Sequence, residues 1–186
     1  MRKIIHLSAL FVPIICELTS KSVTLIMLSA VTIIYALEEI LRLKGRRLPI
    51  ITPFTLRMST VEESGGFVIR PIYLALGIIL TLLIYPNTIA YSSICIGAVG
   101  DPVAAIVGRR FGHRPIIRRK TAEGFAAGLA TSFSVASLLV SPFIALVGAT
   151  GAMLMELLDV PDDNLTMPIV AGALMTAALY PFTSPV

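Results

Sequence analysis

The chain has 186 residues, 56% of them hydrophobic and only 14% charged, with a formal net charge of +4 and a mean hydropathy of +0.89. Soluble domains carry about 25% charged residues, so this composition excludes an ordinary soluble globule, and the abundance of Leu, Ile, Val and Ala excludes a disordered chain. Two cysteines cannot build a disulfide scaffold, and Cys16 and Cys95 both fall in apolar stretches and read as buried thiols. The expectation is an all-α integral membrane protein, a single polytopic domain over residues 1–186 with room for six or seven helices.

In chain order, the first apolar stretch, Ile4 to Leu18, follows Arg2 and Lys3. No small-residue cleavage site precedes Glu17 and further spans follow, so it reads as a retained helix rather than a signal peptide. A second span runs from about Ser22 to Leu41 and ends in the charged edge Glu38, Glu39, Arg42, Lys44, Arg46 and Arg47. Residues 44–70 form the longest polar connection, with Glu62 and Glu63 ahead of Gly65-Gly66. The third span, about Pro71 to Tyr85, stops at Pro86-Asn87, and the fourth, about Thr88 to Val107, carries Gly97, Gly100 and Asp101 in its second half. A cationic loop from Arg109 to Lys120 follows. Spans five (about Ala122 to Val140), six (about Pro142 to Leu158) and seven (about Thr166 to Pro181) complete the chain.

Short loops retain Lys and Arg on the cytoplasmic side. With seven spans, fourteen of the fifteen basic residues fall on one face, leaving Lys21 opposite, so the N-terminus is predicted cytoplasmic and the C-terminus outside. Most acids collect on that same face: Glu62, Glu63, Asp101, Glu123, Glu156, Asp159, Asp162 and Asp163.

An ionised carboxylate inside a membrane helix costs several kcal/mol unless it meets water, a cation or an arginine, which makes Asp101 a functional candidate. Gly97 and Gly100 just before it permit close approach by backbone or ligand, though small residues also serve helix packing. The Arg109–Lys120 loop suits a polyphosphate, since Arg offers planar forks for phosphate oxygens and Lys a point charge. Thr121 is a natural N-cap for the fifth helix, whose first backbone N–H groups favour an anion. A plain anchor on anionic headgroups is the blander account of such a loop. Glu156, Asp159, Asp162, Asp163 and Asn164 gather hard oxygen ligands of the kind Mg²⁺ takes alongside substrate phosphate, while the same run is also good turn and cap chemistry. His6 shares a helical face with Arg2. No Walker loop, Ser/His/Asp order or Cys/His metal spacing occurs.

These residues line up with a known family. The chain resembles the CTP-dependent lipid kinases that include dolichol kinase, phytol kinase and a CTP-dependent diacylglycerol kinase. The resemblance rests on Arg2, Lys3 and His6, and on Gly100-Asp101-Pro102 with Ala104-Ala105 leading into Gly108-Arg109-Arg110-Phe111-Gly112. It continues through Lys120-Thr121-Ala122-Glu123-Gly124 and through Glu156 with Asp162-Asp163-Asn164 and Pro168. It implies transfer of the γ-phosphoryl of CTP, with a divalent cation such as Mg²⁺, to the hydroxyl of a polyprenol, phytol-like or diglyceride lipid at the cytoplasmic membrane face. Under that reading Asp101 with Glu156, Asp162 and Asp163 would hold metal, while Arg109, Arg110, Lys120, Thr121 and Lys3 would grip phosphates. Glu123 or Asp101 would orient the lipid hydroxyl, with His6, Glu62, Glu63, Gly100 and Asn164 in support. The alternatives are a cytidylyltransferase making a CDP-lipid and a small transporter with Asp101 and Glu123 in its pathway. No nucleic-acid partner is expected, and seven short helices bury little area, which leaves room for a homodimer.

Overall fold

The computed structural model describes residues 2–45, 66–118, 120–158 and 162–183. In order these form α1 (Arg2–Ser8), α2 (Phe11–Leu18), α3 (Lys21–Leu43), α4 (Arg70–Ile84), α5 (Asn87–Phe111), β1 (Pro115–Ile117), β2 (Lys120–Thr121), α6 (Ala122–Ala136), α7 (Pro142–Leu158) and α8 (Asp163–Thr183). The all-α class holds, with one two-stranded antiparallel ribbon added, in which Pro115 faces Thr121 and Ile117 faces Lys120.

Two expectations about helix extent are corrected. The stretch from Ile4 to Leu18 is not one helix but α1 and α2, broken at Ala9 and Leu10. Pro13 is the cause, because it has no N–H for the Ala9 carbonyl four residues back and its ring crowds that carbonyl. The Val12 N–H takes that carbonyl instead at 3.0 Å, tightening the chain into a turn. The fifth span ends at Ala136 rather than Val140, ahead of Ser141-Pro142, where the residue before proline is pushed out of the helical region.

By length and composition α3 and α5 are long and apolar enough to cross a membrane, while Arg70–Ile84, Pro142–Leu158 and Asp163–Leu179 are shorter apolar helices. The two long helices differ in surroundings. The most apolar stretch of α5 is 72% buried, and that of α3 only 17%. α5 is therefore the central post, packed on α1, α6, α7 and α8, with Ile94 and Ile96 almost fully enclosed. α3 is inside out by the standards of a soluble helix: Ile26, Val31, Ile33, Ile34 and Leu37 point outward, each more than half exposed, while its buried side holds Thr24, Glu38 and Glu39.

Among the described residues the α5–α6 contact is the most extensive between two elements. Gly100, Ala104 and Gly108, four residues apart, face Gly124, Gly128 and Ser132 at the same spacing, so that small residues meet along both helices. A Cβ on Gly124 would stand 2.6 Å from the Ala104 carbonyl oxygen and 3.0 Å from the Gly108 Cα, both backbone atoms. One on Gly100 would stand 2.7 Å from Ser132 Oγ, which donates to the Ile96 carbonyl at 3.2 Å. By contrast, a Cβ on Gly151 would strike the Leu174 side-chain tip, which can rotate away because Leu174 is 39% exposed.

Gly124→Ala should therefore destabilise by about 1–2 kcal/mol net, after overpacking is set against alanine's better helix propensity. Gly151→Ala should be close to neutral. Thermal unfolding of both variants in detergent checks this, and equal midpoints would refute a backbone-limited seam.

Candidate functional site

Asp101 sits in the interior of α5, on the helix face that also carries Ile94, Gly97 and Ala98. The next residue, Pro102, has no N–H to give the Ala98 carbonyl, so the backbone beside Asp101 lacks one helical bond. α1 brings His6 across: its Nδ1 lies 3.5 Å from Asp101 Oδ2, with side chains only 16% and 22% exposed. At that separation the imidazole and the carboxylate lie alongside each other without a short hydrogen bond. The structure thus joins two residues that lie 95 positions apart in the sequence.

The cationic loop is not an open tether. Arg109 and Arg110 form the exposed last turn of α5, with the Arg110 guanidinium 5.5 Å from the Phe111 ring centre. The chain then folds back as the β1–β2 ribbon, turning at Arg118, whose φ is +49°. Glu123 Oε2 accepts the backbone N–H groups of His113 at 3.1 Å and Arg114 at 3.3 Å, and the Ala122 N–H reaches the Arg114 carbonyl at 2.9 Å. Thr121 caps α6 as expected, its Oγ1 accepting from the Gly124 N–H at 3.3 Å. Glu123 is thereby a ribbon-closing residue and is absent from the lining of the cleft at Asp101.

β2 delivers Lys120 to the end of α7, where Nζ pairs with Glu156 Oε1. Glu156 is 2% exposed, a buried carboxylate held by a lysine from another element. At the start of α8, Asp162 Oδ1 accepts from the Asn164 N–H at 3.0 Å and its carbonyl from Thr166 Oγ1 at 3.0 Å, which makes Asp162 the N-cap. Partial burial pushes the Asp162 carboxyl above the ordinary aspartate range, against the pull of the Asn164 hydrogen bonds and of His6. Asp163 feels the charges of Asp101, Lys120, Asp162 and Glu156 together. Gly77 of α4 lets this turn seat closely, since a Cβ there would lie 2.6 Å from the Asn164 carbonyl oxygen.

His6, Asp101, Asp163 and Asn164 line one narrow cleft of about 10 Å³, floored by Ala9, Leu74 and Ile78. Among the described residues no three of His, Cys, Asp and Glu stand close enough to hold a metal ion by themselves. The donor set still suits Mg²⁺, which binds through one or two carboxylates and takes its other oxygens from water and substrate phosphate. Asp101 and Asp163 are the pair in the cleft that meets that requirement, whereas Glu156 is engaged by Lys120. Lys3 lies in α1, one turn before His6. Glu62, Glu63 and Asp159 lie outside the described residues.

One constellation escapes the sequence analysis. Glu39, fully buried, receives Arg42 Nε at 2.9 Å and Nη2 at 2.6 Å, and takes the Val68 N–H at 2.7 Å. Arg42 also donates to the Gly66 carbonyl. The acids and bases at the end of α3 are a latch holding the entry to α4; the signal for it was the i, i+3 spacing of Glu39 and Arg42.

Compared with known proteins, the chain is similar to an uncharacterized protein of Methanocaldococcus jannaschii, 29% identical over 132 residues, covering 67% of this chain. The matched stretch spans 65% of that relative's own length. No family model matches the chain, and no solved structure does.

Lys120→Met should cost up to about 3 kcal/mol, because it strands Glu156 as a buried, unpaired carboxylate, whereas Lys120→Met with Glu156→Leu should recover most of that loss. Unfolding midpoints of the single and double variants check the pairing. A double variant no more stable than the single would show that Glu156 does not depend on Lys120.

Proposed function

We propose that this protein is a CTP-dependent lipid kinase of the cell membrane, multi-pass, with its active face cytoplasmic. In this reading the helices make seven passes, with the N-terminus cytoplasmic and the C-terminus outside. It transfers the γ-phosphoryl group of CTP to the hydroxyl of a membrane lipid alcohol. The single observation that carries the reading is the gathering of His6, Asp101, Asp163 and Asn164 from α1, α5 and the head of α8 along one cleft, with the Lys120–Glu156 pair near enough for its charges to bear on Asp163. The outward apolar face of α3 supports a bilayer location, because water does not tolerate so long a row of exposed aliphatic side chains.

Phosphoryl transfer is chiefly positioning and neutralisation of charge. Arg109, Arg110 and Arg114 are exposed cations that follow Asp101 on the last turn of α5 and the lead into the ribbon, and in this reading they would receive the triphosphate. In this reading Asp101 accepts the proton of the lipid hydroxyl, whose oxygen forms the new bond to the γ-phosphorus as the bond to the CDP oxygen breaks. His6 holds the Asp101 carboxylate in orientation. A bound Mg²⁺, held by Asp163 and Asp101, would supply charge neutralisation on the phosphates.

The test is label transfer in mixed micelles with Mg²⁺ and a panel of polyprenols, geranylgeraniol and diglyceride, using CTP labelled at the γ or α phosphate. Label from γ is expected in extracted lipid; label from α alone, with a lipid phosphate, would instead mark a cytidylyltransferase. Asp101→Asn should lower turnover at least about 100-fold, the scale of removing a general base. Chelation of Mg²⁺ should abolish transfer and its return restore it. Wild-type turnover in Asp101→Asn would refute the site.

A further inference from the structure

Beside the cleft lies a second, larger cavity of about 430 Å³ between α1, α2, α3 and α4. Its wall is built from Val12, Leu28, Val31, Leu74, Ala75 and Ile78, with Ala9 at one end. We propose that this cavity is the binding site for the hydrocarbon chain of a lipid alcohol drawn from the bilayer, with the hydroxyl end directed to Asp101. The proposal rests on the lipid kinase reading for its head group only.

Four observations carry it. First, the cavity and the cleft share Ala9, Leu74 and Ile78, so the apolar space and the acidic one meet on the same three side chains. The cleft, at about 10 Å³, matches a water-sized group such as a hydroxyl, while the cavity is of the size that holds an organic ligand. Second, the cavity wall is apolar but for three hydroxyls, and each has its donor committed to a backbone carbonyl. Ser8 Oγ donates to the Ile5 carbonyl at 2.6 Å, Thr32 Oγ1 to Leu28 at 2.7 Å, and Tyr35 Oη to Val68 at 2.9 Å. A sugar or nucleotide, with many polar groups, would lose most of its hydration against so few acceptors, whereas a hydrocarbon chain has no such cost. Third, Val31 lines the cavity and is 65% exposed on the apolar outer surface of α3, so the space opens toward the surface that faces lipid in this reading. Fourth, the break between α1 and α2 falls at Ala9, 4% exposed, which puts the smallest apolar side chain where chain and head group would meet.

The experiment uses a long-chain prenol carrying a diazirine midway along its chain, with the full-length protein in nanodiscs and no nucleotide present. After irradiation, adducts are mapped by peptide mass spectrometry. Adducts are expected on the residues 9–32 and 71–78 peptides, competed by unlabelled prenol but not by phosphatidylcholine. Ala75→Phe and, independently, Val31→Trp should fill the cavity and reduce labelling at least about tenfold, while Leu138→Phe, on an exposed turn elsewhere, should leave it unchanged. In the transfer assay both filling variants should raise KM for long-chain alcohols about tenfold while leaving kcat and the turnover of a five-carbon alcohol unaltered. Labelling spread evenly over the outer faces of all helices, competition by phosphatidylcholine, or undiminished labelling in both variants would overturn the proposal, even if phosphoryl transfer is found. Mapped, competed labelling without any phosphoryl transfer would leave the chain site standing and refute the kinase reading instead.

Discussion

The close approach of α5 and α6 is the constraint on which the rest depends. Because Gly100, Ala104 and Gly108 meet Gly124, Gly128 and Ser132 with backbone nearly on backbone, the two helices have little freedom to shift or rotate against each other. Successive helical residues lie about 100° apart around the axis, so directing Gly100 at α6 necessarily directs Asp101 elsewhere, toward α1 and the start of α8. The same seam leaves only a short connection between the ends of α5 and α6, and the chain satisfies it with a ribbon whose backbone donors are taken by Glu123. The position of Lys120 follows, and with it the reach to Glu156.

Three acids inside this bundle are tied to basic partners, two of them on other elements. His6 meets Asp101, Lys120 meets Glu156, and Arg42 holds Glu39 together with the backbone near Val68. In a medium of low dielectric, removing Lys120 or Arg42 would leave Glu156 or Glu39 as a buried, uncompensated carboxylate. Asp163 differs from the other acids: it stands among like charges at the head of α8, with Lys120 as the opposing one.

The outer surface and the interior divide the work differently from a soluble protein. α3 turns aliphatic side chains outward and polar ones inward, and Lys21 at its start lends Nζ to the Tyr85 carbonyl at the end of α4, 3.1 Å away, where a helix terminus has no donor of its own. Between α3, α4 and the broken first helix an apolar space remains that abuts the acidic cleft, so hydrocarbon and charge lie within one wall of each other.

Composition and hydropathy by themselves determined the all-α class, the order of the helices from Pro71 onward though not all of their ends, the cap at Thr121, and the residues from which a charged site would be drawn. Those features are local: they follow from runs of apolar residues, from proline, and from side chains that bond their own backbone. Only the tertiary structure decided that Asp101 takes His6 as its partner, that Lys120 is held by Glu156, and that Glu123 closes the ribbon instead of entering the cleft. It also decided that Gly100, just before Asp101, belongs to a packing seam, and that Glu39 and Arg42 form an internal latch where a charged helix edge was expected. Partner choice depends on which helix faces come together, and that is set by the packing of many small side chains at once, a quantity no single stretch of sequence contains.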